Sequence, residues 1–144
     1  ILFYFSKYLE FVDTWILVLK GKGANFLQVY HHAGIVFVMH GAVASQSAWL
    51  LFVVLLNAFI HTLMYTYFTI KTLAPHVEIK SAKYLTMAQI GQFLIGMAST
   101  YGVLIMGQAC DSASSRFSLA CLHVYGIGLI ALFVNFAKKK YKRV

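Results

Sequence analysis

Acidic residues are scarce in this chain: four Asp and Glu stand against twelve Lys and Arg in 144 residues. No charged side chain of either sign occurs between Phe26 and Ile70. Proline occurs once, at Pro75, so almost nothing bars the backbone from continuous helix. Two cysteines, Cys110 and Cys121, are too few for a disulfide framework. They read best as small buried or idle thiols. With 60% hydrophobic and 11% charged residues, an ordinary soluble domain is excluded.

What the chain does have is apolar runs of membrane-spanning length, about 20 residues each. Five are expected as helices: Ile1–Leu19, Phe26–Ala44, Ala48–Leu73, Tyr84–Gly107 and Phe117–Ala137. The third is long enough to span with tilt or to protrude. The connectors KGKGAN, APHVEIKSAK and QACDSASS are short and polar. No repeat or linker divides the chain. The expected fold is all-α, a polytopic membrane helical bundle with one membrane-embedded domain over residues 1–144. Because it opens inside an apolar helix without Met or signal peptide, it reads as an N-terminally truncated fragment.

The basic residues set an orientation. Ten of the twelve (Lys20, Lys22, Lys71, Lys80, Lys83, Lys138, Lys139, Lys140, Lys142 and Arg143) lie at one side of such a bundle. The other side keeps Arg116, and Lys7 lies within the first helix. This positive-inside asymmetry puts the C-terminal tail in the cytosol. A charge of +8 alone could suggest nucleic acid, but the bundle argues for no nucleic-acid partner and for lipid contact instead. Lys140 and Lys142 also stand where a lysine-based endoplasmic-reticulum retrieval signal would need them, if Val144 ends the protein.

Polar residues inside the runs share helix faces. In KYLEFVDT, Lys7, Glu10 and Asp13 recur every third residue, with Thr14 beside them. In LQVYHH, Gln28, His31 and His32 are spaced i, i+3, i+4. In NAFIHTLMYTYF, Asn57, His61 and Tyr65 form an i, i+4, i+8 stripe, and in TMAQIGQF Thr86, Gln89 and Gln92 share half a circumference. At 1.5 Å rise per residue, Asp13, His31 and Gln89 each lie about 9–10 Å from the cytosolic helix end, and His61 about 15 Å. Four clusters gathered in the cytosolic half imply a polar chamber open to the cytosol, with an apolar far end. Packing hydrogen bonds between helices explain Thr62, Thr66, Thr86 and Ser99 well enough. A mutually neutralised structural triad explains Lys7, Glu10 and Asp13 as well as direct chemistry does. His40 and His123 map near the far boundary, as interfacial hydrogen-bonding groups, and His76 sits in a solvated loop. His31, His32 and His61, three imidazoles meeting at one interior depth, favour function over packing.

QVYHH resembles the glutamine-containing histidine box of membrane fatty-acid desaturases, but six histidines and no HxxxH box fall short of a di-iron ligand set, so no metal is expected. KYLEFVDT, FLQVYHHAG, NAFIHTLMYTYF and TMAQIGQF, in this order, resemble the signature boxes of the ELO family of very-long-chain fatty acid elongases. The resemblance spans essentially the whole chain and implies five of seven transmembrane helices. Gln28 departs from the HxxHH box of many members and marks a subgroup.

The resemblance implies an acyltransferase, the 3-ketoacyl-CoA synthase that condenses a long-chain acyl-CoA with malonyl-CoA and releases CO2 and CoA. It makes His31 the acyl acceptor, with His61 supporting the second half-reaction and His32 tuning its neighbour. Gln28 and Asn57 would offer amide hydrogen bonds to imidazoles or a thioester oxyanion. Lys7, Glu10, Asp13, Gln89 and Gln92 would bind CoA groups or brace the chamber, and Tyr65 belongs to the same supporting set. Lys20, Lys22, Lys71, Lys80 and Lys83 would surround the mouth. No tightly bound cofactor is implied; acyl-CoA and malonyl-CoA enter as substrates. The implied setting is the endoplasmic reticulum membrane, with the reductases and dehydratase of the elongation cycle as partners and room for a homodimer. A seven-helix transporter or receptor is the rival from another class, and it predicts polar residues on both sides of the midplane.

Overall fold

The computed structural model describes residues 1–21, 23–77, 81–106 and 112–141. Lys22, Lys80, Cys110, Lys142 and Arg143, singled out above, lie outside the described residues. The fold is five helices and, among the described residues, no strand: α1 Leu2–Leu19, α2 Phe26–Ala44, α3 Leu50–Leu73, α4 Ala82–Met106 and α5 Ala113–Tyr141. Three runs, Leu50–Leu73, Ala82–Ile105 and Ala113–Tyr141, are long and apolar enough to cross a membrane. The sequence reading expected five. The other two helices carry Lys7, Glu10 and Asp13 on α1 and Gln28, His31 and His32 on α2, which dilute their apolar character.

Local chemistry sets the ends. Asn25 caps α2, its side-chain oxygen accepting from the Gln28 backbone N–H at 2.8 Å. Gly21 follows α1 at φ +70°, the left-handed position that glycine occupies after a helix. α5 starts earlier than its apolar run because Ser112 Oγ accepts from the Ser115 N–H. It also runs on through Lys138, Lys139 and Lys140, cations that suit the negative end of a helix dipole.

The packing order is not the chain order. α1 lies on α2, α2 on α5, α5 on α4 and α4 on α3, so neighbours run 1-2-5-4-3. Side chains of α1 and α3 then meet and close the ring, through Lys7 with Asn57 and Asp13 with Tyr65. Close approach of α2 and α5 depends on small residues. A methyl on Gly34 would run into the Tyr125 ring, and one on Gly41 would sit 2.9 Å from Ser118 Oγ. Ile35, Val38, Met39, Tyr125 and Leu129 form the larger core cluster, with Ala42, Trp49 and Leu119 in a second. Phe37, Leu9, Phe117 and Val124 are among many large apolar side chains left exposed. An apolar exterior of this extent suits lipid or further helices, not water.

The far end is less apolar than expected. Ser47 bonds Ser115, and Trp49 Nε1 donates to Ser115 Oγ at 3.0 Å, pinning the α2–α3 turn to the start of α5. Thr62, Thr66 and Ser99 depart from the expected interhelical role. Each hydroxyl donates to the carbonyl four residues back in its own helix, at 2.8 Å. Thr86 does the same to Ala82 and also meets Tyr141 of α5 at 3.2 Å.

Candidate functional site

The polar residues of α1, α2 and α3 converge where those helices enclose the centre of the ring. Lys7 is 2% exposed, yet its ammonium is satisfied: Nζ donates to Glu10 Oε1 at 2.6 Å and to Asn57 Oδ1 at 2.8 Å. The i, i+3 spacing on α1 makes the first bond possible, and the ring closure supplies the second. The same Glu10 oxygen lies 3.3 Å from His61 Nδ1, while Glu10 Oε2 is buried without a partner among the described residues. A charge in hydrocarbon is disfavoured by about 2.5–3.5 kcal/mol on insertion scales, so this mutual pairing is what lets Lys7 and Glu10 stay buried.

His61 faces His31, their ring centroids 6.2 Å apart, and His31 stands 5.6 Å from His32. His32 is tied to α1, with Thr14 Oγ1 at 2.9 Å from its Nδ1, and Gln28 Nε2 donates to that same hydroxyl at 3.2 Å. The Gln28 amide therefore serves Thr14 rather than an imidazole. Asn57 likewise accepts from Lys7. Asp13 does not join the ion pair: its Oδ2 accepts from Tyr65 OH at 2.8 Å, a second tie between α1 and α3. Gln89 is apart from the cluster, its amide directed to Met64 Sδ at 3.5 Å. Gln92 is buried, with Oε1 unpartnered among the described residues.

Two clefts meet at this cluster. One is apolar and runs between α2, α3, α4 and α5, with His31, Asn57 and Gln92 at one end and Met97, Thr100 and His123 at the other. Gln92 and Thr100, eight residues apart on α4, are about 12 Å apart along the axis. The empty space is ≈ 640 Å³, mouth included. The second lies between α1 and α3 and is lined by Lys7, Glu10, Asn57, His61 and Tyr65. Asn57 borders both. His123 was expected as an interfacial hydrogen-bonding group. It lines the apolar cleft, with Nδ1 2.9 Å from the Leu119 carbonyl and Nε2 3.2 Å from the Met97 carbonyl, of which a neutral ring can donate to one. His40 meets Tyr4 OH at 3.4 Å.

Sequence reasoning missed Tyr125. It is 7% exposed, comes from α5 and approaches His31 twice, through the ring nitrogen Nδ1 at 3.0 Å and the backbone carbonyl at 2.9 Å. Thr14, named above only as a neighbour, links Gln28 to His32. Cys121, by contrast, does not line either cleft.

Donor atoms of Glu10, His31 and His61 lie within 4.8 Å of one another, close enough to share a metal ion. The Lys7 ammonium, held on the same carboxylate, puts a fixed positive charge beside any such ion, which opposes it. Two imidazoles beside a carboxylate, between a dry cleft and a polar one, are otherwise suited to nucleophilic and proton-transfer chemistry.

Comparison with known proteins gives these residues a context. The chain is 35% identical to "Very long chain fatty acid elongase 5" of Xenopus laevis, over 98% of this chain and 48% of that protein. It is 38% identical to "Fatty acid elongase sre1" of Dictyostelium discoideum, over 98% of this chain and 52% of that protein. With "Very long chain fatty acid elongase 5" of Homo sapiens the identity is 34%, over 98% and 47%. The chain thus spans about half the length of the curated relatives it matches. No solved structure matches it. The ELO: GNS1/SUR4 family matches residues 1–144, and the chain belongs to that family.

Proposed function

We propose that this chain carries the reaction centre of a membrane condensing enzyme, joining a long-chain acyl-CoA to malonyl-CoA to give a 3-ketoacyl-CoA, CO2 and CoA. Family membership and elongase relatives support fatty acid elongation as the setting. One observation carries the finer reading: His31 lies at the inner end of the apolar cleft, 6.2 Å from His61, which lines the polar one. An acyl tail needs the first environment and the charged parts of a CoA thioester need the second. His31 takes the acyl group from CoA, and the acyl-imidazole passes it to the malonyl-derived carbon. His61, beside Glu10, assists at the second substrate, and Lys7, itself anchored on Asn57, holds Glu10 in place for it. His32, tethered through Thr14, keeps the neighbouring ring oriented. Tyr65, Asp13 and Gln92 support the walls of the chamber. The enzyme acts in the endoplasmic reticulum membrane with its mouth and C-terminal tail to the cytosol, where the other enzymes of the elongation cycle work.

Microsomes carrying the full-length protein, fed labelled malonyl-CoA with a series of acyl-CoAs, test this directly. Labelled 3-ketoacyl product that disappears in His31→Ala is expected. Folded protein that yields no such product with any acyl length contradicts the reading.

A further inference from the structure

The contact between Tyr125 and His31 constrains which ring nitrogen carries the proton. A phenolic hydroxyl has one hydrogen to give, whereas a carbonyl oxygen can only accept. Tyr125 OH lies 2.9 Å from the His31 carbonyl, so its hydrogen goes there. Towards His31 Nδ1, at 3.0 Å, the same oxygen can then act only as an acceptor. Nδ1 must therefore bear the ring hydrogen, and Nε2 keeps a free lone pair. We propose that Tyr125 is a positioning residue that locks His31 in the Nδ1–H tautomer and so makes Nε2 the nucleophilic atom.

The surroundings are built to keep Tyr125 there. Its ring stacks on Tyr30 at 5.4 Å and 18°. On the α2 side it occupies the space that any side chain on Gly34 would fill. The Tyr30 hydroxyl donates to the Tyr125 carbonyl at 3.4 Å, a further tie from α2. A hydroxyl so confined cannot swing to another partner. It fixes the imidazole as the partner of a catalytic histidine does elsewhere, by choice of tautomer and ring angle.

The kinetic consequence rests on the acyl-histidine reading above; the tautomer itself does not. In the acylation step the Nε2 lone pair forms a bond to the thioester carbon. The C–S bond breaks, its electron pair leaves on sulfur, and the thiolate takes a proton from solvent. Nδ1 keeps its hydrogen throughout, and the resulting acyl-imidazolium donates it to the Tyr125 oxygen, a charge-assisted bond. In the second step the malonyl carboxylate leaves as CO2. Its bonding pair attacks the acyl carbon, and the C–N pair returns to Nε2. The ring ends as it began.

The test is nitrogen NMR of the full-length protein labelled at the histidine rings, with the His31 signals identified by their loss in His31→Ala. The wild type is expected to show Nδ1 protonated and Nε2 bare. Tyr125→Phe should release that preference towards Nε2–H or a mixture, and Gly34→Ala, which displaces the ring, should do the same. Tyr4→Phe, a hydroxyl removed elsewhere in the bundle, should leave it unchanged. An Nε2–H ring in the wild type, or an unaltered tautomer in folded Tyr125→Phe, overturns the proposal. With acyl-CoA alone, Tyr125→Phe should release CoA about 10- to 100-fold more slowly at unchanged acyl-CoA affinity. A matching loss of affinity instead would make Tyr125 merely structural. If the tautomer stands and no acyl adduct forms on His31, the acyl-histidine reading fails and the positioning role survives.

Discussion

Replacing Lys7 by Met removes the positive member of a buried pair and leaves Glu10 and Asn57 facing each other without it. Lys7 is 2% exposed, and among the described residues its side-chain hydrogen bonds are those of 2.6 Å to Glu10 and 2.8 Å to Asn57. Breaking a buried ion pair by deleting one partner is destabilising by about 3–5 kcal/mol, because the other charge stays buried. Glu10 already has one oxygen unpartnered among the described residues, so it has little to fall back on. At about 2–4 °C per kcal/mol for proteins of a few hundred residues, the melting temperature should fall by about 6–20 °C. Lys7→Met with Glu10→Gln removes both charges and should recover much of that loss. The assay is thermal unfolding of the full-length protein in one detergent, completed as a double-mutant cycle. A single variant within about 1 kcal/mol of wild type, or a double variant less stable than Lys7→Met, refutes the reasoning.

Other consequences are as direct. Replacing Cys110 and Cys121 together should leave condensation largely intact, since the proposed acyl acceptor is a histidine; complete loss in a folded double variant would revive a cysteine acyl-enzyme. Extensive treatment with a strong chelator should leave turnover unchanged, because the Lys7 ammonium beside Glu10 repels a cation there; a loss reversed by adding one divalent ion would overturn that view. Single cysteines at positions 20 and 112, in a background without the native two, should label from opposite membrane faces, position 20 from the cytosol. Equal labelling from one face would undo the orientation.

Much of the fold was legible because membrane helices announce themselves by length and apolarity. Phe26–Ala44 was read to the residue, helped by a capping Asn25 before the run. α5 was read short at both ends, since its polar Ser-rich start and lysine-rich end are helical for reasons of capping and dipole rather than burial. Periodicity put Lys7, Glu10 and His61 on faces of their own helices, and shared depth suggested that those faces meet. It could not say which helices are neighbours. The 1-2-5-4-3 order brings Tyr125 to His31 across 94 residues of sequence, and nothing in LHVYGIGL signals that. The same lack of neighbour information hid the Ser47–Ser115–Trp49 contact and the inward position of His123. Sequence spacing alone also could not tell that Gln89 turns to Met64 while Gln92 faces the cleft.

The central claim is that His31 holds the acyl group in transit. Mass spectrometry of full-length protein trapped with acyl-CoA alone tests it most directly. One acyl group per site on His31 is expected, with a stoichiometric release of CoA and no adduct in folded His31→Ala. An adduct on any other residue, or normal turnover by His31→Ala, contradicts it.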